Sequence, residues 1–181
     1  MEFVSLCWII LLLYWVVKAR GVKPIEKVHK KFSGFWVNAG RVFFILLFVV
    51  SLRFSPLLFA SGQTQRLVGN AMTLSGLVIA IIARKTLADD WSGDIVLKKE
   101  HKLITTGVYA YVRHPIYTGI LLMALGTFLV LTTVSMLVFF LVMLFFILYK
   151  LTEEEKLLMQ HFPKEYPKYR KRSKALVPFL W

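Results

Sequence analysis

The chain has 181 residues, 57% of them hydrophobic, and carries 23 Lys plus Arg against 10 Asp plus Glu, a formal charge of +13. That apolar share, gathered into long uncharged runs, excludes an ordinary soluble domain, and it makes the basic excess a match for an anionic membrane surface rather than nucleic acid. A single cysteine, Cys7, excludes an internal disulfide and a cysteine-ligated zinc or iron–sulfur centre, and no metal site is expected.

Residues 3–17 form the first apolar run. Glu2 precedes it and Lys18, Arg20 and Lys23 follow it, the reverse of a cleaved signal peptide and the pattern of a retained span ending in the cytoplasm. Residues 35–60 read as a second span, with Arg41 and Arg53 reaching opposite interfaces and Pro56 kinking or ending the helix. Residues 61–66 read as a short outer loop and 67–83 as a third span, whose Gly69, Ala71, Ser75, Gly76 and Ala80 allow close helix packing. Residues 116–149 are almost wholly apolar, and one crossing takes about 20 residues. The stretch is therefore expected to be a tight helical hairpin, 116–131 and 134–149, around Thr132 and Thr133. The expected fold is an all-α integral membrane domain of about five spans, with polar segments 84–115 and 150–181 on the cytoplasmic side. The segments 18–31, 84–113 and 150–174 hold 6, 6 and 8 Lys plus Arg, 20 of the 23. This puts the N-terminus outside and the C-terminus in the cytoplasm.

The hairpin leaves and returns, so the segments flanking it, 86–119 and 150–170, should meet at one membrane face. They carry donors (His101, Lys102, Arg113, His114), rings with polar tips (Tyr109, Tyr111, Tyr117) and acceptors (Glu153, Glu154, Glu155). A ligand with an amine, a carboxylate, a diol and a flat base finds a partner for each part; S-adenosylmethionine fits, as do many nucleotides. Lys150, Glu154 and Leu158 share one helix face, an ordinary i, i+4 ion pair in the plain reading, and Glu155 lies about 100° away. The basic tail 168–174 reads as an anchor to anionic lipid.

The stretch TLADDWSGDIVLKKEHKLITTGVYAYVRHPIYTG, followed by EEKLLMQHFPKEYPKYRKR, resembles the isoprenylcysteine carboxyl methyltransferases and the related phospholipid methyltransferases. The shared elements are a Trp-Ser segment, a His-x-Leu segment, Gly-x-Tyr, Arg-His-Pro-x-Tyr, a Glu-Glu pair and Tyr-x-x-Tyr, in that order over residues 84–181. The resemblance implies an S-adenosylmethionine pocket at His101, Lys102, Leu103, Ile104, Tyr109, His114, Pro115, Ile116, Tyr117 and Glu154. It also implies methyl transfer to a lipophilic acceptor, an isoprenylcysteine-type carboxylate or a lipid head group. Lys150 or Arg113 would hold the acceptor's negative group, and Glu155 would serve as base for an amine acceptor. Three departures stand out. Lys150 replaces the family's arginine, keeping the charge and losing the bidentate fork. Phe162-Pro163 replaces a Phe-Gly turn, and Leu87-Ala88 a Leu-Gly. Two other readings of the sequence are a nicotinamide-dependent membrane reductase of the sterol-reductase type and a non-enzymatic membrane scaffold. Neither the acceptor nor the oligomeric state is written in the sequence.

Overall fold

The computed structural model describes residues 2–18, 25–30, 49, 56–88, 95–98 and 103–177. Within them lie the helices α1 (Glu2–Lys18), α2 (Gln63–Leu87), α3 (Pro115–Leu131), α4 (Val134–His161) and α5 (Glu165–Arg172). A 3-10 turn covers Gly107–Ala110, and the strands β1 (Ile25–Lys30) and β2 (Ile95–Lys98) pair antiparallel. The fold is helical, as expected, but the ribbon was not foreseen. Its strands are only 6 and 4 residues long, and each carries one Ile and one Val, β-branched residues that suit a pleated backbone.

α2 and α4 are long and apolar enough to cross a bilayer, and α3 is a shorter apolar helix. The expected second span, Arg41 and Arg53 included, lies outside the described residues except for Val49 and its last stretch. That stretch, 56–60, is not helical, in keeping with Pro56 at its start. α2 starts at Gln63, four residues before the expected boundary, with Gly62 as its N-cap.

The hairpin turns where expected. Thr132 adopts the left-handed conformation (φ 51°, ψ 35°) that ends α3, and the Thr133 hydroxyl accepts from the Met136 N–H at 3.3 Å to cap α4. Residues 56–61 close over this turn. Leu58 N–H donates to the Thr132 carbonyl (2.7 Å), Thr132 Oγ1 to the Phe59 carbonyl (2.6 Å) and Val134 N–H to the Pro56 carbonyl (3.2 Å). Main-chain groups that would otherwise be unpaired at the turn are thereby satisfied.

α2 and α3 run antiparallel in close contact, and glycines make the approach. A Cβ on Gly69 would lie 2.6 Å from the Gly126 carbonyl oxygen, and one on Gly119 would lie 2.5 Å from that of Gly76. Ala80 extends the stripe against Gly119, while Ala71 and Ser75 fall on the exposed face. Thr73, buried between the glycines, returns its hydroxyl to the Gly69 carbonyl at 2.9 Å. α1 lays Val4, Cys7 and Leu11 along α2, α3 and α4, and Trp8 donates its indole N–H to Thr127 Oγ1 at 3.0 Å. Val4 packs beside Val130, Leu131 and Met136 at the turn end. At the other end Arg84 Nη2 donates to the Lys18 carbonyl at 2.7 Å, tying the last turns of α1 and α2 together. The C-terminal ends of α1, α2 and α4 and the start of α3 thus gather opposite the hairpin turn.

Candidate active site

The segments flanking the hairpin meet at that gathered end. Pro115 occupies the first turn of α3, where its missing N–H costs nothing, so Arg113, His114 and Tyr117 are fixed at the helix entrance. α4 continues beyond its apolar stretch to His161, so Lys150, Glu154 and Glu155 ride on a rigid extension of the same helix. Tyr117 Oη donates to Glu154 Oε1 at 2.6 Å. His114 Nδ1 lies 3.6 Å from Glu154 Oε2, and Lys150 Nζ lies 3.7 Å from Glu154 Oε1. The His114 and Tyr117 rings stack with centroids 5.7 Å apart and planes 12° apart, and Lys150 Nζ sits 5.7 Å from the Tyr117 ring centre.

Glu155 serves the other side of the histidine. Arg113 Nε donates to its Oε1 at 2.7 Å, His114 Nε2 lies 3.5 Å from the same oxygen, and Arg170 Nε lies 3.5 Å from Oε2. One imidazole therefore spans two consecutive carboxylates of α4. Burial alone would raise the Glu155 carboxyl, but the hydrogen bond and charge of Arg113, with the imidazole of His114 close by, outweigh it and hold it at about 2.

The tail fixes these residues from outside. Residues 173–176 run beside 111–114: Arg113 N–H donates to the Lys174 carbonyl (2.8 Å), His114 N–H to that of Ala175 (3.1 Å) and Lys174 N–H to that of Tyr111 (3.1 Å). Thr118 Oγ1 donates to the Leu176 carbonyl at 2.7 Å, and Arg113 Nη1 donates to the Ser173 carbonyl. Tyr169 Oη donates to the Tyr109 carbonyl at 2.6 Å, and burial pushes its phenol up to about 12. Burial likewise raises the phenol of Tyr166, beside Glu155.

Of the residues the sequence singled out, Arg113, His114, Tyr117, Lys150, Glu154 and Glu155 form one contiguous cluster. Tyr109 and Ile116 are buried together against Ala83, with Ile104 and Tyr117 packed on them; Pro115 is buried and Leu103 half-buried. His101 and Lys102 lie outside the described residues. Tyr111 points away, 65% exposed, and Glu153 pairs with Lys156 at 2.8 Å. Sequence reasoning passed over Arg84 and Ser173, and it noted Tyr166 and Tyr169 only as part of the Tyr-x-x-Tyr pattern, with no role for either. Arg84 reads as an ordinary cation at a helix C-terminus, and nothing in the sequence signals its burial.

A family model describing the isoprenylcysteine carboxyl methyltransferase (ICMT) family matches residues 67–160. The chain belongs to this family. Relatives include the protein-S-isoprenylcysteine O-methyltransferase of Schizosaccharomyces pombe, 43% identical over 83 residues, covering 45% of this chain and 35% of that protein. The Saccharomyces cerevisiae protein of the same name is 34% identical over 116 residues, covering 62% of this chain and 48% of its own length. The probable counterpart in Oryza sativa subsp. indica is 37% identical over 116 residues, covering 62% and 61%. The chain thus spans between a third and two thirds of the length of these relatives. A solved structure of a eukaryotic intramembrane Ras methyltransferase of the ICMT family superposes over 84% of this chain and 55% of its own, with TM-score 0.58 and 22% identity, a likeness of fold. The family match runs from α2 to the end of α4 and contains the His114–Glu154 cluster; the strap at 173–176 lies beyond it.

Proposed function

We propose that the protein transfers a methyl group from S-adenosylmethionine to the carboxylate of a lipophilic, prenylcysteine-type acceptor at the cytoplasmic face of a membrane. The observation that carries this is the meeting of His114, Tyr117, Lys150 and Glu154 within 3.7 Å between the first turn of α3 and the extension of α4. The family and the names of its members supply the reaction class. Among the basic residues of the described helices only Arg66 lies toward the hairpin turn, which supports the opposite end as cytoplasmic.

The donor set suits the cofactor. Glu154 is only partly covered and already oriented by Tyr117, so a carboxylate is available to an ammonium or sulfonium group. The stacked His114 and Tyr117 rings offer aromatic surface beside it. Leu103, Ile104, Tyr109, Pro115 and Ile116 would wall the pocket, with His101 and Lys102 completing the set the family pattern names. When bound, S-adenosylmethionine supplies an electrophilic methyl group to an acceptor that approaches in line.

Lys150 neutralises the acceptor's carboxylate in this reading, because Arg113 is committed to Glu155 and to the carbonyls of Ser173 and Arg170. Glu155 is a positioning residue. A carboxyl held at about 2 by an arginine and a histidine is a weak base, and an anionic acceptor needs none. The test is calorimetric binding of S-adenosylhomocysteine to folded protein in detergent, alongside labelled methyl transfer to an N-acylated farnesylcysteine and to phosphatidylethanolamine. Binding with transfer to the cysteine carboxylate is expected. A folded sample that binds no cofactor overturns the assignment, and transfer to the amine alone overturns the acceptor.

A further inference from the structure

On the Glu155 side of α4, bordering the cluster and sharing Arg113 and Glu155 with it, a cavity of about 580 Å³ opens between α4 and the tail. Leu148, Leu151, Thr152, Glu155, Lys156 and Met159 line it from α4, spaced at three and four residues, so a single stripe of the helix forms its floor. Along that stripe the chemistry changes. Leu148 and Leu151 lie toward the apolar part of α4, whereas Lys156 lies toward its polar end, facing Arg170, Lys171 and Lys174 of the tail. With Arg113, the lining holds five cationic side chains against the single carboxylate of Glu155, and one of the five, Lys156, is paired at 2.8 Å with Glu153 outside the lining. That carboxylate is already engaged by Arg113 and Arg170, and among the described residues no carboxylate pairs with Lys171 or Lys174.

We infer that this groove is a discrete binding site for an anionic phospholipid, with the head-group phosphate at Lys171 and Lys174 and an acyl chain along Leu148 and Leu151. A free anion would leave the apolar half of the groove unfilled, and a neutral lipid would leave the cationic half unmatched. An amphiphile with one negative head satisfies both, and the groove sits where α4 leaves its apolar stretch, at head-group depth. The groove's lining includes none of the proposed cofactor residues, since Glu154 points about 100° away from Glu155, toward Tyr117. The bound lipid would press on the tail segment whose backbone holds Arg113 and His114.

Native mass spectrometry of the full chain, released from nanodiscs of mixed phosphatidylglycerol and phosphatidylcholine, tests this without any methyl-transfer readout. The wild type retains one phosphatidylglycerol in preference to phosphatidylcholine, and millimolar inorganic phosphate does not displace it. K171Q/K174Q weakens retention about thirtyfold, whereas K164Q/K168Q, which removes the same charge from the tail outside the groove, leaves it near the wild-type value. T152W, which fills the groove without altering charge, also loses the lipid. Equal loss in K164Q/K168Q, undiminished retention in T152W, or equal retention of the two lipids would each overturn the proposal, since surface charge alone would then explain the binding.

Discussion

Glu154 and Glu155 are neighbours in sequence yet face different partners, because successive helical residues point about 100° apart. Glu154, partly exposed beside Tyr117, is the group proposed to meet a cationic cofactor; Glu155 lies between Arg113 and His114. E154Q should therefore weaken S-adenosylhomocysteine binding about tenfold or more in calorimetry, with little change in thermal stability, since one charge-assisted contact is lost. E155Q should do the reverse. It breaks a buried ion pair and should lower stability by about 3 kcal/mol in a denaturation series, moving kcat more than the cofactor's Kd. The Glu155 carboxyl titrates lower in the folded protein, at about 2, than its ordinary value of 4.5, so its contribution is fully present above pH 4.5 and vanishes as pH falls through 2. Thermal melts between those limits should show an acid-dependent loss that is absent in E155Q. K150R restores the bidentate fork and should lower the KM for a carboxylate acceptor several-fold while leaving cofactor affinity alone. An unchanged KM would place the acceptor's charge elsewhere.

Between elements, the α2–α3 contact is set by backbone approach rather than by large side chains. The sequence displayed five small residues on one span; the structure selects Gly69, Gly76 and Ala80 for the contact and turns Ala71 and Ser75 outward. G76V should destabilise the protein by roughly 1–3 kcal/mol, read as an earlier melt in detergent, because the Gly119 carbonyl and Met123 leave no room for a side chain. A71L should stay within about 0.5 kcal/mol of the wild type. Equal effects from the two substitutions would mean the helices cross elsewhere. The hairpin was legible in detail, since 34 apolar residues with threonines at their midpoint cannot cross a bilayer as one helix. The ribbon of β1 and β2 was not, because its strands are too short for a periodicity of two to stand out.

For the molecule as a whole, the proposed orientation rests on the distribution of basic residues. In a C7A background, a cysteine at Lys164 should react with a membrane-impermeant maleimide only in inverted vesicles, and one at Gly62 only in right-side-out vesicles; labelling of both from one side would refute the topology. The apolar runs, the hairpin and the asymmetry of basic residues were available from composition and order alone, because a bilayer imposes span length and sign of charge on a sequence irrespective of its partners. The family pattern likewise named His114, Tyr117 and Glu154 before any coordinates. Tertiary structure alone decided which carboxylate His114 meets through each nitrogen, that Arg113 is consumed by Glu155 and the tail carbonyls, that Arg84 is buried, and that a cationic, apolar-floored groove opens behind the site. These depend on where residues 173–176 return along 111–114, a contact between segments some 60 positions apart, and no local period or propensity records such a pairing.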